Sequence, residues 1–445
     1  MKLKKNDTIS CEIVDINDDG QGVAKIDDEV VFIPFCLTGE KVDAVVINTK
    51  SKFAIAKATN ITNLSPHRVE PKCKHFKMCG GCSFQHLVHS EQLVQKQKQV
   101  AQALKRIAHI ETTVQPCISC NEYYYRNKIA LPVSPDGKVG LYRKNTHRIL
   151  PIDECPITKN WLPELLKAIE EFIKESKIKC FNPETNSGTL KHIVAREVDN
   201  QLLLTFVSTT EKFPDVSSLA KKLQPKFNSL GISLNINKLN NNVILSQNWK
   251  NLWGNNLITT EFFGVTYNIS NASFSQVNDS IRNELYLKVL ENISPTDTVI
   301  DAYSGAGLLS AIISKKAEYC YGIEIIKEAT ISADKLKTDN NILNLTNING
   351  DCAKELPVLA KKLSSKELCV VLDPPRKGCD EKVLNALLSS QPTKIIYVSC
   401  NPQTLARDLK ILTDTKEYAI SFVQPFDMFP QTSHIETLVR LDRIK

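Results

Sequence analysis

Cys400 follows the apolar run KIIYVS, which reads as a strand, and Asn401-Pro402 comes directly after it. A cysteine at the carboxyl end of a strand faces a site, and Asn-Pro forces a turn that exposes it. Ionised, such a thiol is a strong carbon nucleophile. Near the C-terminus, Asp427-Met-Phe-Pro-Gln-Thr-Ser-His-Ile-Glu436 offers His434 and Glu436. These two point the same way on a strand, and either could move a proton. Methylating a pyrimidine at C5 needs a nucleophile adding to C6 and a base for the C5 proton. The sequence supplies one of each.

A methyl donor needs a pocket beside these groups. DTVIDAYS reads as a strand running into the glycine-rich turn Asp301-Ala-Tyr-Ser-Gly-Ala-Gly307. Such a turn lets backbone approach a ligand closely. The next strand ends in Gly322-Ile-Glu324, an acid placed to hold a ribose diol, and Asp351 follows the third. The spacing is not GxGxxG, which disfavours a pyrophosphate-bearing dinucleotide and fits S-adenosylmethionine better. A fourth strand, ELCVVL, ends in Asp373-Pro-Pro-Arg-Lys-Gly378, where two prolines stiffen the rim of the site.

Three regions must position these groups. Residues 1–61 alternate short apolar runs with turn signals and predict a small β-barrel. Residues 62–270 open on a cysteine-rich stretch and a helix over 90–108. Leu93, Val100, Leu104 and Ile107 recur there at helical spacing, with Ser90 as N-cap. Strand patterns including KIALPVS, HIVAREV, LLLTFVS, SLNINK and NVILS follow, interrupted by a helix near 161–176. They predict an α+β domain. Residues 271–445 alternate helices with near-continuous apolar strands, the pattern of a parallel sheet covered on both faces.

Hydrophobic residues make up 42% of the 445, which excludes a disordered chain. No apolar run approaches the ~18 residues of a membrane span. The start lacks an apolar signal core, so a cytoplasmic protein with no membrane partner is expected. The net charge of +7 is uneven: residues 62–160 alone carry +8. A local positive field of this kind attracts a polyanion.

The chain has 14 cysteines, and Cys73, Cys79 and Cys82 lie within ten residues beside Gly80 and Gly81. Clustered cysteines in a reducing compartment point to metal or catalysis. With Cys117, Cys120 or Cys155 as a fourth ligand, either tetrahedral zinc or a [4Fe–4S] cluster fits. The loop lacks the Cx3Cx2C spacing of radical S-adenosylmethionine chemistry.

DAYSGAG, GIE, LDPPRKG, VSCNP, DMFPQTSHIET, SFSQVN, YRNK and CKHFKMCGGCSFQH together resemble the bacterial RNA uracil-5-methyltransferases, specifically the iron–sulfur-containing 23S ribosomal RNA branch. The resemblance spans nearly the whole chain, with residues 1–61 similar to a TRAM domain, an OB-like RNA-binding barrel. It implies a Rossmann-like class I methyltransferase domain and a helix 90–108 docked on it. Cys400 would attack uracil C6 and Glu436 would remove the C5 proton, leaving His434 structural. Gln276, Tyr303, Glu324 and Asp373 match the S-adenosylmethionine positions. Cys155 is selected as the fourth ligand of Cys73, Cys79 and Cys82, and [4Fe–4S] over zinc. Ser275 stands where the family usually has an aromatic, which implies a small local packing change. The implied partner is RNA: 23S ribosomal RNA first, transfer RNA as the alternative, and no DNA. A non-catalytic RNA-binding factor is the rival of another class, against which Cys400 and Glu436 both argue.

Overall fold

The computed structural model describes residues 3–239, 241–273, 275–363 and 367–444; Phe274 of SFSQVN lies outside them. Residues 8–63 form a six-stranded sheet. Lys41–Thr49 pairs antiparallel with both Thr8–Glu12 and Phe53–Asn63. Along it Val42, Ala44 and Val46 alternate inward to meet Ile9, Val31 and Ile33. The last strand ends at Asn63, two residues past the expected boundary at 61. Beyond it, Arg68 Nε donates to the buried carboxylate of Glu40 at 2.6 Å, and the N–H of Leu37 and Ser65 donate to the same group. The linker is thereby fixed to the barrel.

The central sheet orders its strands Trp249–Gly254, Ser229–Ile236, Gln201–Ser208, Leu190–Val198 and Lys128–Pro132. Helix Leu162–Glu175 lays Leu165, Ile169 and Phe172 on Leu204 and Phe206. NVILS, expected as a strand, is not one. Asn237 Nδ2 donates to the carbonyls of Val243 and Ile244, and Asn235 exchanges hydrogen bonds with Ser246 backbone. Side-chain amides take the place of a backbone ladder there. The strand that pairs instead, WKNLWG, lacks the alternation that would reveal it.

The C-terminal sheet has seven strands. In the order of their appearance they lie 3-2-1-4-5-7-6, six running parallel and the seventh, Glu436–Arg443, antiparallel between its neighbours. Thr298–Ala302 lies third, flanked by Tyr319–Glu324 and Leu368–Leu372; it and Leu368–Leu372 are fully buried, as their apolar runs require. Among the described residues no helix is long and apolar enough to cross a membrane.

Helix His89–Ala103 leaves the cysteine-rich stretch and packs Val100, Ala103 and Leu104 into the core of that sheet. Val88, not Ser90, is its N-cap, and Ser90 is exposed in the first turn. The helix ends in a π turn, Leu104–Ala108. Its wider winding rotates the apolar stripe, so Ala108 is buried and Ile107 is 37% exposed instead of packed. The buried face also carries two polar side chains, Gln92 and Lys96. Lys96 Nζ, with no exposure, pairs with the equally buried carboxylate of Asp427, which also bonds His89 Nε2 at 2.9 Å. Burial opposes ionisation of Asp427, but Lys96 and His89 outweigh it and hold its pKa below the ordinary value.

Removing one member of a buried pair strands the other charge. Lys96→Met should lower unfolding stability by about 3–5 kcal/mol, read from the urea midpoint. Lys96→Met with Asp427→Leu should cost less than Lys96→Met alone. A single variant as stable as the parent would show that the pair does not hold the helix down.

Candidate active site

Four strands of the C-terminal sheet end side by side at one edge. The register pairs Ala302 with Ile323 and Leu372, and Leu372 with Tyr397. Tyr303, Glu324, Asp373 and Cys400 therefore emerge in a row. Strand Glu436–Arg443 runs antiparallel beside Cys400, with Ser399 opposite Thr437, which brings Glu436 to the same edge.

Tyr303 is held at φ +68, a conformation rare for an aromatic residue and characteristic of functional turns. Gly307 follows at φ +82, where a Cβ would lie 2.6 Å from the Cβ of Ala333, so only glycine fits. Both oxygens of Glu324 are engaged: Gly305 N–H donates to one at 2.9 Å and Ile326 N–H to the other at 2.7 Å. The acid is locked across the mouth of the glycine turn. Asp301 lies beneath, accepting from Ser310 Oγ at 2.5 Å. Burial pushes its pKa up to about 7, and pushes Asp373 to about 7 as well. Asp351, by contrast, is exposed and caps helix Cys352–Lys362 through Ala353 N–H.

Burial, then the charge of Glu436, raises the Cys400 thiol to about 11, and Arg376 opposes both. Burial and Asp373 hold Glu436 well above the ordinary carboxyl value, again against Arg376. Arg376, inside DPPRKG, is thus the cation that acts on both reactive groups, and the sequence reading gave it no role. Its carbonyl accepts from Asn401 Nδ2 and Thr404 Oγ1 at the start of helix Pro402–Asp414, which ties the two loops together. His434 and Glu436 do not point the same way. His434 is exposed, edge-on to Phe429, and Glu436 is buried, because the strand begins only at Glu436.

Gln276 is buried on a segment held by Asn127. The Asn127 side chain donates to Gln276 O at 3.2 Å and Asp279 Oδ1 at 2.9 Å, and its N–H to Val277 O. Asn278 caps helix Asp279–Glu291 and reaches Met428 O at 3.3 Å, which links this segment to the loop before Glu436. In YRNK, then, Tyr125 and Asn127 are buried framework, and Tyr125 OH donates to Pro430 O.

Cys73, Cys79, Cys82 and Cys155 are free thiols. Burial pushes up the first three, Cys82 to about 12, and Cys155 adds to the shift in each. Cys155 is thus within electrostatic reach of the other three. Cys117 and Cys120 instead feel Asp427. Four such donors, once gathered, would suit either zinc or a [4Fe–4S] cluster. Among the described residues no group of three or more His, Cys, Asp or Glu is arranged to hold a metal ion.

An acid raised by folding costs stability as pH climbs from its unfolded pKa, ~4, toward its folded value. For Asp301 the window runs from there to about 7. Asp301→Asn lacks this loss, so its stability relative to the parent should rise by up to about 1.4 kcal/mol per pH unit across the window. Urea unfolding at several pH values reads it; a pH-independent difference would mean that Asp301 is ionised throughout.

Residues 88–444 match the model of the tRNA (uracil-5-)-methyltransferase family, and residues 9–67 match the TRAM domain of tRNA (uracil(54)-C(5))-methyltransferase. An uncharacterized RNA methyltransferase of Clostridium acetobutylicum is 38% identical over 99% of this chain and 98% of its own length. One of Halalkalibacterium halodurans gives the same figures. Among solved structures, the Pyrococcus abyssi tRNA (uracil-54, C5)-methyltransferase in complex with S-adenosyl-L-homocysteine superposes with a TM-score of 0.79, at 27% identity, over 97% of this chain and all of that one. The glycine turn with its locked acid, and the thiol and buried carboxyl at one sheet edge, accordingly belong to an S-adenosylmethionine-dependent enzyme: the chain is a member of the RNA (uracil-5-)-methyltransferase family, with an N-terminal TRAM domain and a C-terminal class I methyltransferase fold.

Proposed function

We propose that the protein methylates C5 of a uridine in 23S ribosomal RNA, with Cys400 as nucleophile and Glu436 as proton acceptor. The observation that carries the reading is the convergence of Cys400, Glu436 and Arg376 beside Tyr303, Glu324 and Asp373 at one sheet edge. S-adenosylmethionine, bound when present by Gln276, Tyr303, Glu324 and Asp373, supplies the methyl group. Cys400 Sγ, as thiolate, adds to C6 of the uracil, and the electron pair displaced to C5 takes the methyl. Glu436 then accepts the C5 proton, the C5–C6 double bond re-forms and Cys400 leaves as thiolate. Arg376 stabilises the negative charge on both groups. A uridine stacked in folded RNA reaches Cys400 only after leaving its stack.

Transfer RNA is the second reading, supported by the tRNA methyltransferase of similar structure. We assign Cys73, Cys79, Cys82 and Cys155 as the holders of a [4Fe–4S] cluster that organises the loop around them. The electrostatic influence of Cys155 on each of the other three thiols supports that donor set. The three regions 1–61, 62–270 and 271–445 serve as RNA-binding barrel, cluster domain and catalytic domain.

Labelled S-adenosylmethionine with 23S ribosomal RNA fragments and with transfer RNA, followed by nucleoside mass spectrometry, decides the substrate. 5-Methyluridine in a ribosomal fragment is expected; product in transfer RNA alone would replace the first reading by the second. Cys400→Ala should lower turnover by more than about a thousandfold while RNA and cofactor still bind. Glu436→Gln should accumulate a denaturation-stable RNA–protein adduct, visible as a gel shift. Retained turnover in the first, or no adduct in the second, would remove those roles. Anaerobically purified protein should contain iron and acid-labile sulfide that Cys155→Ser loses and Cys117→Ser keeps. Equal content in both variants would overturn the ligand set.

A further inference from the structure

Part of the excess positive charge of residues 62–160 lies on one hairpin. Gly140–Tyr142 and Ile149–Pro151 form a hairpin whose tip is RKNTHR. The tip is fixed to the cysteine loop: Lys144 N–H donates to Met78 O at 2.9 Å, and Arg143 bridges Cys79. It also touches the barrel, because Lys144 Nζ lies 4.9 Å from the ring centroid of Phe35, over which Lys77 of the cysteine loop also stands. Barrel, cysteine loop and hairpin meet here.

A cleft of about 440 Å³ opens at this junction, lined by Gly80 and by residues 141–147. That volume falls within the range of small-ligand sites and accommodates one nucleotide. Its walls have two kinds of chemistry. Tyr142, 38% exposed, has its hydroxyl bonded to His192 Nε2 at 3.1 Å, and His147 stands edge-on to its ring at 5.8 Å. The ring is therefore held by two imidazoles, His147 and His192, and is still partly exposed. Arg143, Lys144 and Arg148 are exposed, and among the described residues none has a carboxylate at ion-pair distance. Nearby Lys74 and Lys138 are paired, with Asp153 and Glu170. A fixed aromatic platform ringed by unpaired cations is how proteins hold single-stranded nucleic acid.

We propose that this cleft seats one unpaired nucleotide of the substrate RNA away from the methylated uridine, its base on Tyr142 and its phosphates on Arg143 and Lys144. The proposal rests on the RNA-methylating reading above. The cleft is in register with the active site: the N–H groups of Ser83 and Phe84, at the far end of the cysteine loop, donate to Gln431 O, five residues before Glu436. RNA held at the hairpin is thus held at a set distance from Cys400.

The test compares the full-length protein with Tyr142→Ala, Tyr142→Phe and the double variant Arg143→Ala/Lys144→Ala, using whichever RNA the parent methylates. Tyr142→Ala should raise KM for RNA about ten- to a hundredfold, and Tyr142→Phe should restore it. Turnover at saturating RNA and affinity for S-adenosylmethionine should not change. The double variant should flatten the slope of log Kd against log salt by about 1.4, the equivalent of two single-strand phosphates. Unchanged KM and slope would overturn the proposal. So would a joint fall of turnover and cofactor affinity, which means that the hairpin only supports the fold. If the parent forms no 5-methyluridine, the catalytic reading fails separately. Binding of a fluorescent uridine oligomer of about 12 nucleotides to parent and variants then decides the cleft on its own.

Discussion

Four consecutive carbonyls, from Met428 to Gln431, are each claimed by a different part of the chain, and the buried Lys96–Asp427 pair is what brings those parts together. Met428 O accepts from Asn278, Phe429 O from Lys96, Pro430 O from the Tyr125 hydroxyl, and Gln431 O from the Ser83 and Phe84 amides. The Gln92 side chain and Gln431 exchange hydrogen bonds as well. Asp427 N–H meets Ile118 O, so the segment after the helix extends the sheet edge there. The loop that delivers Glu436 has no shape of its own; it is a mould taken from the rest of the molecule. An ionised lysine inside a core is tolerable only with its partner in place. The pair therefore rejects any packing of helix His89–Ala103 that would leave this loop unformed.

The chemistry at the edge depends on a balance that this packing sets. Asp301, Asp373 and Glu436 are buried close enough to raise one another's pKa or to be raised by burial alone. Burial and the charge of Asp373 together hold Glu436 well above the ordinary carboxyl value. Arg376 is the opposing influence on both Glu436 and Cys400, and it is exposed. In water its field is weak; covered by a bound substrate, the same charge acts through a lower dielectric and its hold on both groups grows.

The strand ends were legible because their signals are local. A glycine turn after an apolar run, a Pro-Pro step and an Asn-Pro step each mark where a parallel strand stops, and ligand groups collect at those ends. Lys96 and Asp427 were not legible, since their partnership joins positions 331 residues apart and lysine on a helix reads as solvated. Apolar spacing alone placed Ile107 in the core, and the π turn that rotates it outward has no sequence signature. Asn235 and Asn237 misled in the opposite sense. Their amides occupy the backbone of residues 243–246, and a segment with strand composition pairs with side chains in place of a strand. The framework role of Asn127 was hidden in the same way, behind neighbours whose types suggest RNA contact.

The cysteine loop poses a physical question that its packing does not answer. Phe76 and Phe84 are buried, but Met78 is 41% exposed and the loop has no regular secondary structure. Gly81 N–H to Cys79 Sγ and Cys73 N–H to Gln85 Oε1 are among the few bonds that define it. Yet this loop holds Gln431 O on one side and the hairpin tip on the other. A group that bound all four cysteines would crosslink the loop to Cys155, and such binding energy is folding energy. The proposed cluster would thus let a weakly packed loop serve as the fixed point between the hairpin and the loop of Glu436.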